Sequence, residues 1–146
     1  MAEMENENKI LDFDTIQEKR TDELMELLDR RDMKQLQRRM EEMNEFDVAE
    51  FLSELDSSRM PMVFRLLSKE TAAEVFANFD APEQEEIINS ITDSELAGIM
   101  DEMYVDDAVD MMEELPANVV KRVMRTATPA TRALINPAEF SGYFRY

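Results

Sequence analysis

Slid along itself by 24 residues, the chain matches itself three times: AEFLSEL from Ala49, AEVFANF from Ala73 and AGIMDEM from Ala97. The apolar columns agree at Phe51, Val75 and Ile99, at Leu52, Phe76 and Met100, and at Leu55, Phe79 and Met103, and a degenerate fourth copy reaches Val123 and Met124. A second set shares the period, with Val63, Ile87, Met111 and Ile135 in one column and Leu67, Ile91 and Leu115 in another. Within each cluster the spacing is i, i+3, i+4, one face of a helix and not the alternation of a strand. Boundary residues agree: Thr92 with Glu95 spells a capping box, Asp80 with Pro82 and Glu83 a cap followed by an early proline, and Thr128-Pro129 another start. The pattern predicts helices of ~8 to 12 residues joined by short turns.

A pair of such helices cannot bury its apolar face alone, so successive pairs must stack on one another. The fold expected is all-α, a right-handed superhelix of short helix pairs with a 24-residue repeat. Ala49, Ala73, Ala97 and Gly98 are expected to be small because helices cross closely there, and the methionines of the columns are read as core filler. Residues 21–44, with Leu24, Leu27, Leu28, Leu36 and Met40, predict one longer helix or a helix pair at the start of the stack. Residues 1–20 are expected to form a flexible acidic arm, with a short amphipathic piece between Ile10 and Ile16, and residues 21–146 the helical domain.

Composition narrows the chemistry. The 146 residues suit one domain, 44% of them are hydrophobic, and no apolar run approaches the ~20 residues of a membrane helix. The opening MAEMENENKI has neither the basic start nor the apolar core of a secretory signal, so a soluble, cytoplasmic chain is expected. With no Cys and no His, thiolate chemistry, imidazole base catalysis and His-ligated zinc are all excluded. Only Gly98 and Gly142 are glycines, too few for a phosphate-cradling loop. An enzyme is not expected; an acidic hydrolase working with Asp or Glu pairs ranks last, since no cleft signal accompanies the acids.

The net charge of −18 is unevenly placed. Residues 70–120 hold 15 Asp and Glu and no Lys or Arg, whereas bases gather in DRRDMKQLQRR, at Arg30, Arg31, Lys34, Arg38 and Arg39. Such a surface repels nucleic acid and anionic lipid and attracts cations or basic partners. Its densest part is YVDDAVDMMEELP, residues 104–116. On a helix starting near Val105, Asp106 and Asp110 stand one turn apart on one face, where like charges cost a few tenths of a kcal/mol. The helix dipole accounts for acids in the first turn, Asp106 and Asp107, and less well for Asp110. The other account is a divalent cation: Mg2+ and Ca2+ take oxygen ligands, and two carboxylates would need water or a second acidic domain to complete the shell.

The run TAAEVFANFDAPEQEEIINSITDSELAGIMDEMYVDDAVDMMEELPANVVKRVMRTATPATRALI resembles the cytosolic N-terminal domain of the MgtE family of magnesium channels and transporters, most tellingly in AAEVF, YVDDAVDMMEELP and TPATRALI. The likeness extends from about Leu24 to the C-terminus. It implies a superhelix of short helices followed, outside this chain, by a pair of CBS domains and a transmembrane pore; GYFRY stands where the family's junction begins, so the chain is expected to be the N-terminal piece of a longer protein. The implied metal ligands are Glu74, Asp106 and Asp110, with Asp107 read as a helix-start acid. The implied role is a Mg2+ sensor on the cytoplasmic side of the cell membrane: at high Mg2+ the ion docks this domain on the CBS pair and closes the pore, and at low Mg2+ repulsion separates them. Mg2+ is expected to bind the isolated domain weakly or not at all, and the full-length protein to be a homodimer with no nucleic-acid partner. The rival class is a protein-interaction solenoid similar to the C-terminal module of the flagellar rotor protein FliG, whose working ridge mixes bases with acids where residues 70–120 offer no base.

Overall fold

A computed structural model describes residue 16 and residues 19–135. The expected arm over 1–20, its amphipathic piece at 10–16 and the GYFRY terminus lie almost wholly outside those residues. Every described element is a helix or a turn, with no strand among the described residues and no helix long and apolar enough to cross a membrane. The chain divides into two compact units, the first ending at Glu42 and the second beginning at Met43.

In the first unit the predicted long segment is a pair of helices, α1 over residues 19–29 and α2 over Met33–Glu42. The break follows from backbone geometry. Arg31 takes a left-handed conformation (φ 60°), its N–H bonds to the Leu28 carbonyl at 3.0 Å, and the Asp32 N–H bonds to the Leu27 carbonyl at 2.9 Å. That is a Schellman ending with Arg where glycine usually sits. Asp32 then caps α2, its Oδ1 accepting from the Gln35 N–H at 3.3 Å. Leu24, Leu27, Leu28, Leu36 and Met40 are all buried.

The second unit holds the repeat. The helices α3 (Glu45–Ser53), α5 (Lys69–Ala77), α7 (Asp93–Glu102) and α9 (Ala117–Thr126) each begin 24 residues after the last, as do α6 (Ala81–Ser90), α8 (Val105–Glu114) and α10 (Pro129–Leu134). The remaining helix, α4 (Arg59–Phe64), starts late because the turn before it is organised by Asp56. That carboxylate accepts from the Ser58 hydroxyl at 2.6 Å and the Arg59 N–H at 2.9 Å and pairs with the Arg59 side chain, which together lower its pKa to about 2. In the packing α3 rests on α5, α5 on α7 and α7 on α9, while α4 touches α3 and α6, and α8 reaches back to α5. Helices two apart meet because their apolar faces repeat at that interval.

The predicted columns are the core except at Met103, which is half-buried at the end of α7. Phe51, Val75, Ile99, Val63, Ile87, Met111, Leu115, Val123, Met124 and Ile135 are all buried. Each such side chain contributes about 1.5–3 kcal/mol by leaving water. Phe64 of α4 packs against Phe76 and Phe79 at centroid distances of 6.3 and 6.2 Å, joining two repeats. The small positions divide: Ala49 and Ala73 are buried, whereas Ala97 and Gly98 are half-buried. A Cβ at Gly98 would meet only the Lys69 side chain, 3.5 Å away at its Cε, so at Gly98 no helix backbone approaches closely enough to demand glycine.

Candidate functional site

Helix α8 is amphipathic in a way that sorts its acids. Ala108, Met111, Met112 and Leu115, at i, i+3, i+4 and i+7, face the core. Asp106, Asp110 and Glu113, also one turn apart, therefore form an exposed outward ridge, while Asp107 flanks the buried face and is half-exposed. The helix starts poorly. Tyr104 occupies the N-cap position with no side-chain hydrogen bond to the first turn and is 75% exposed, so no N-cap side chain satisfies the N–H groups there and the helix dipole is offset by the charges of Asp106 and Asp107.

Behind this start lies an open groove of about 310 Å³. One wall is the α5 stripe Glu70, Ala73, Glu74, Ala77 and Asn78; the other is Glu102, Met103, Tyr104 and Asp107, from the end of α7 through the turn into α8; Glu45 of α3 closes one side. Among the described residues, five carboxylates line it and no base does. The structure thus brings Glu74 together with Asp107, the acid read from sequence as a helix-start residue, and with Glu45, Glu70 and Glu102. Asp106 and Asp110 do not line the groove. Asp107 was hard to find because α8 meets α5, an element three places earlier, whereas the repeat columns pair helices two places apart. The signal available was Glu70 with Glu74, one helical turn apart.

Carboxylate oxygens are the donors hard divalent cations prefer. Among the described residues, however, no three Asp, Glu, His or Cys side chains converge closely enough to hold a metal ion by themselves. A cation at the α5/α8 surface would draw its remaining ligands from water or from a facing surface.

Two arginines just outside the acidic segment are engaged at another turn. Arg65, just after α4, donates from Nε and Nη2 to the two Glu95 carboxylate oxygens at 3.1 and 3.0 Å, and from Nη2 to the Ser90 carbonyl at 3.1 Å. Arg122 of α9 donates to the Ile88 carbonyl, to the Ile91 carbonyl at 2.7 Å and to Asp93 Oδ1 at 3.2 Å. Both arginines converge on the turn between α6 and α7. There the Thr92 N–H, closing the capping box, and then Arg65 hold the Glu95 carboxyl below the usual range. At the turn between α7 and α8 no such cation arrives: none of Glu74, Asp106, Asp107 and Asp110 has a salt bridge among the described residues.

Residues 43–139 match the family model of the MgtE intracellular N domain, beginning where the second compact unit begins. Solved structures are similar too, two of them as follows. One, the soluble part of a magnesium transporter, matches with a TM-score of 0.72 at 20% identity over 82% of this chain and 47% of that one. The other, the cytosolic domain of the Mg2+ channel MgtE in complex with ATP, matches with a TM-score of 0.65 at 27% identity over 77% of this chain and 47% of that one. This chain therefore spans about half the length of either. A comparison with curated proteins finds no match. With its helical repeat, its likeness to these solved folds and 97 of its 146 residues inside the family model, the chain belongs to the family of MgtE intracellular N domains.

Proposed function

We propose that this chain is the Mg2+-sensing regulatory domain of a magnesium transporter or channel, a non-enzymatic module that docks through Mg2+ onto a neighbouring CBS pair on the cytoplasmic side of the membrane and closes the pore of a homodimer at high Mg2+. The observation that carries the reading is the uncompensated acid around the start of α8, in a domain of this family. Glu74 lies in the groove, Asp106 and Asp110 on the ridge beside it. Facing carboxylates ~4 Å apart near a surface repel by about 4 kcal/mol, so an acidic partner face cannot close on this one without a cation between them. Mg2+ converts that repulsion into bridging, and because part of its shell must come from the partner or from water, the domain alone binds it weakly. Docking is then conditional on the ion, which favours only the docked state and so shifts the population toward it.

The test uses the protein that carries this domain together with its CBS pair. Mg2+ should protect the interdomain linker from protease, and Asp106→Ala with Asp110→Ala should move the protection midpoint to about tenfold higher Mg2+, near 1.4 kcal/mol. Glu74→Gln should move it in the same direction. An unchanged midpoint in the double variant would reduce the pair to a helix-start feature.

A further inference from the structure

A second groove lies beside the acidic one, sharing only Asn78 with it. It has a different character. Along α3 the positions Phe46, Ala49, Glu50 and Ser53 fall at i, i+3, i+4 and i+7, one continuous stripe, and all four line this groove of about 360 Å³. Of these four, Phe46, Glu50 and Ser53 are exposed and Ala49 is buried. Phe46 is 64% exposed, while the remaining apolar side chains of α3 are buried. The opposite wall is the start of α6, with Asp80 and Glu83. Glu50 and Glu54 on the α3 side have no ionic partner among the described residues, and no base lines the groove.

We propose that this groove between α3 and the start of α6 docks an amphipathic helical segment of a partner protein, one that carries leucine-like side chains on one face and Lys or Arg along its edges. An aromatic ring left in water on the wall of a groove is the kind of anchor such interfaces use. A helix laid along α3 would set its apolar face against Phe46. The carboxylates on both rims select the charge of the occupant: basic edges are drawn in and acidic ones repelled. The carboxylates alone would attract any cation; Phe46 makes the site specific for a segment that is apolar as well as basic. None of Glu74, Asp106, Asp107 and Asp110 lines it, so the site stands apart from Mg2+ docking.

The test uses this chain without Mg2+, so that its failure is distinct from failure of the Mg2+ reading. The probe is a labelled synthetic Leu–Lys helix of about four turns with leucines at i, i+3 and i+4, compared with its Leu→Ala counterpart, which keeps charge and helicity. Anisotropy at physiological salt should show micromolar binding of the Leu–Lys peptide. The Leu→Ala peptide should bind about tenfold more weakly, and so should the Leu–Lys peptide to Phe46→Ser, which keeps its fold because Phe46 is exposed. Glu50→Gln with Glu54→Gln should lower affinity and flatten its salt dependence. Amide shifts on titration should map to α3 and the start of α6. Equal binding of the two peptides, or equal binding to Phe46→Ser, would show only general attraction to an acidic chain and overturn the proposal. So would absence of binding at millimolar peptide, and so would self-association abolished by Phe46→Ser, which would assign the groove to a second copy.

Discussion

The turns before α7 and before α8 stand one after the other in the same acidic segment, and they treat their carboxylates in opposite ways. Before α7, Thr92 and Glu95 close a capping box, and two arginines arrive from α9 and from the end of α4, meeting Asp93, Glu95 and the last carbonyls of α6. Before α8, Tyr104 offers no side-chain cap, and the acids of the first turn and ridge have no ion-pair partner among the described residues. Composition alone would class both as acidic helix starts. The difference is that one is finished within the domain and the other is not. Natural chains break local rules mainly at functional sites, so the unfinished start is where a partner or ion is to be sought.

The largest effect is expected from taking the finished turn apart. Arg122→Met removes a charged donor from the Ile88 and Ile91 carbonyls and from Asp93, leaving part-buried acceptors at the end of α6 unsatisfied. Hydrogen bonds of that kind are worth about 1.5–3 kcal/mol, so urea unfolding should show a loss of about 2 kcal/mol. A loss below ~0.5 kcal/mol would mean that water replaces the guanidinium at no cost and that the two turns differ less than their geometry suggests.

How much of this contrast could be read from residues alone follows from the range of the interactions. Local chemistry was legible: Asp80, Thr92 and Thr128 begin α6, α7 and α10, and the period-24 columns, Met103 apart, are the core because i, i+3, i+4 spacing is itself the geometry of a buried face. The start of α8 at Val105 was legible for the same reason. The arginine clamps were not, since Arg65 and Arg122 reach partners 25 to 34 residues away along the chain. Nor was the company Glu74 keeps, which depends on α8 folding back to α5. The left-handed Arg31 gave no sign either, because glycine is the residue that normally marks such a turn. At Gly98 a helical glycine suggested a close crossing that only a flexible lysine stem occupies.

A smaller effect separates the turns by pH. Glu95→Gln keeps the capping-box geometry and removes the charge that Thr92 and Arg65 stabilise. The Glu95 pKa is lowered from 4.5, so its contribution is full above that value and is lost as pH falls through the lower folded value. The ion pair is well exposed, 45% and 39% at the two side chains, which limits the difference at pH 7 to under ~1 kcal/mol. Unfolding curves of parent and variant should differ at neutral pH and converge in acid. A gap that persists at low pH would mean that packing, not charge, was lost.

The smallest effect has the opposite sign and tests the unfinished turn directly. Asp110 lies one turn from Asp106 and Asp107 on its N-terminal side and from Glu113 and Glu114 on the other, so every near neighbour along the ridge repels it. It sits beyond the first turn, where the helix dipole no longer compensates, unlike Asp106 and Asp107. Asp110→Asn keeps the shape and removes the repulsion, and since each like-charge pair costs about 0.2–0.5 kcal/mol, the domain should gain about 0.5 kcal/mol at low salt. Added NaCl should shrink that gain, because surface charges are screened over about 10 Å at 0.1 M. Urea titrations at two salt concentrations measure both. A variant that loses stability would show that Asp110 is held by a partner within the domain, which would place the α8 start in the same class as the α7 start and remove the reason for seeking its ion elsewhere.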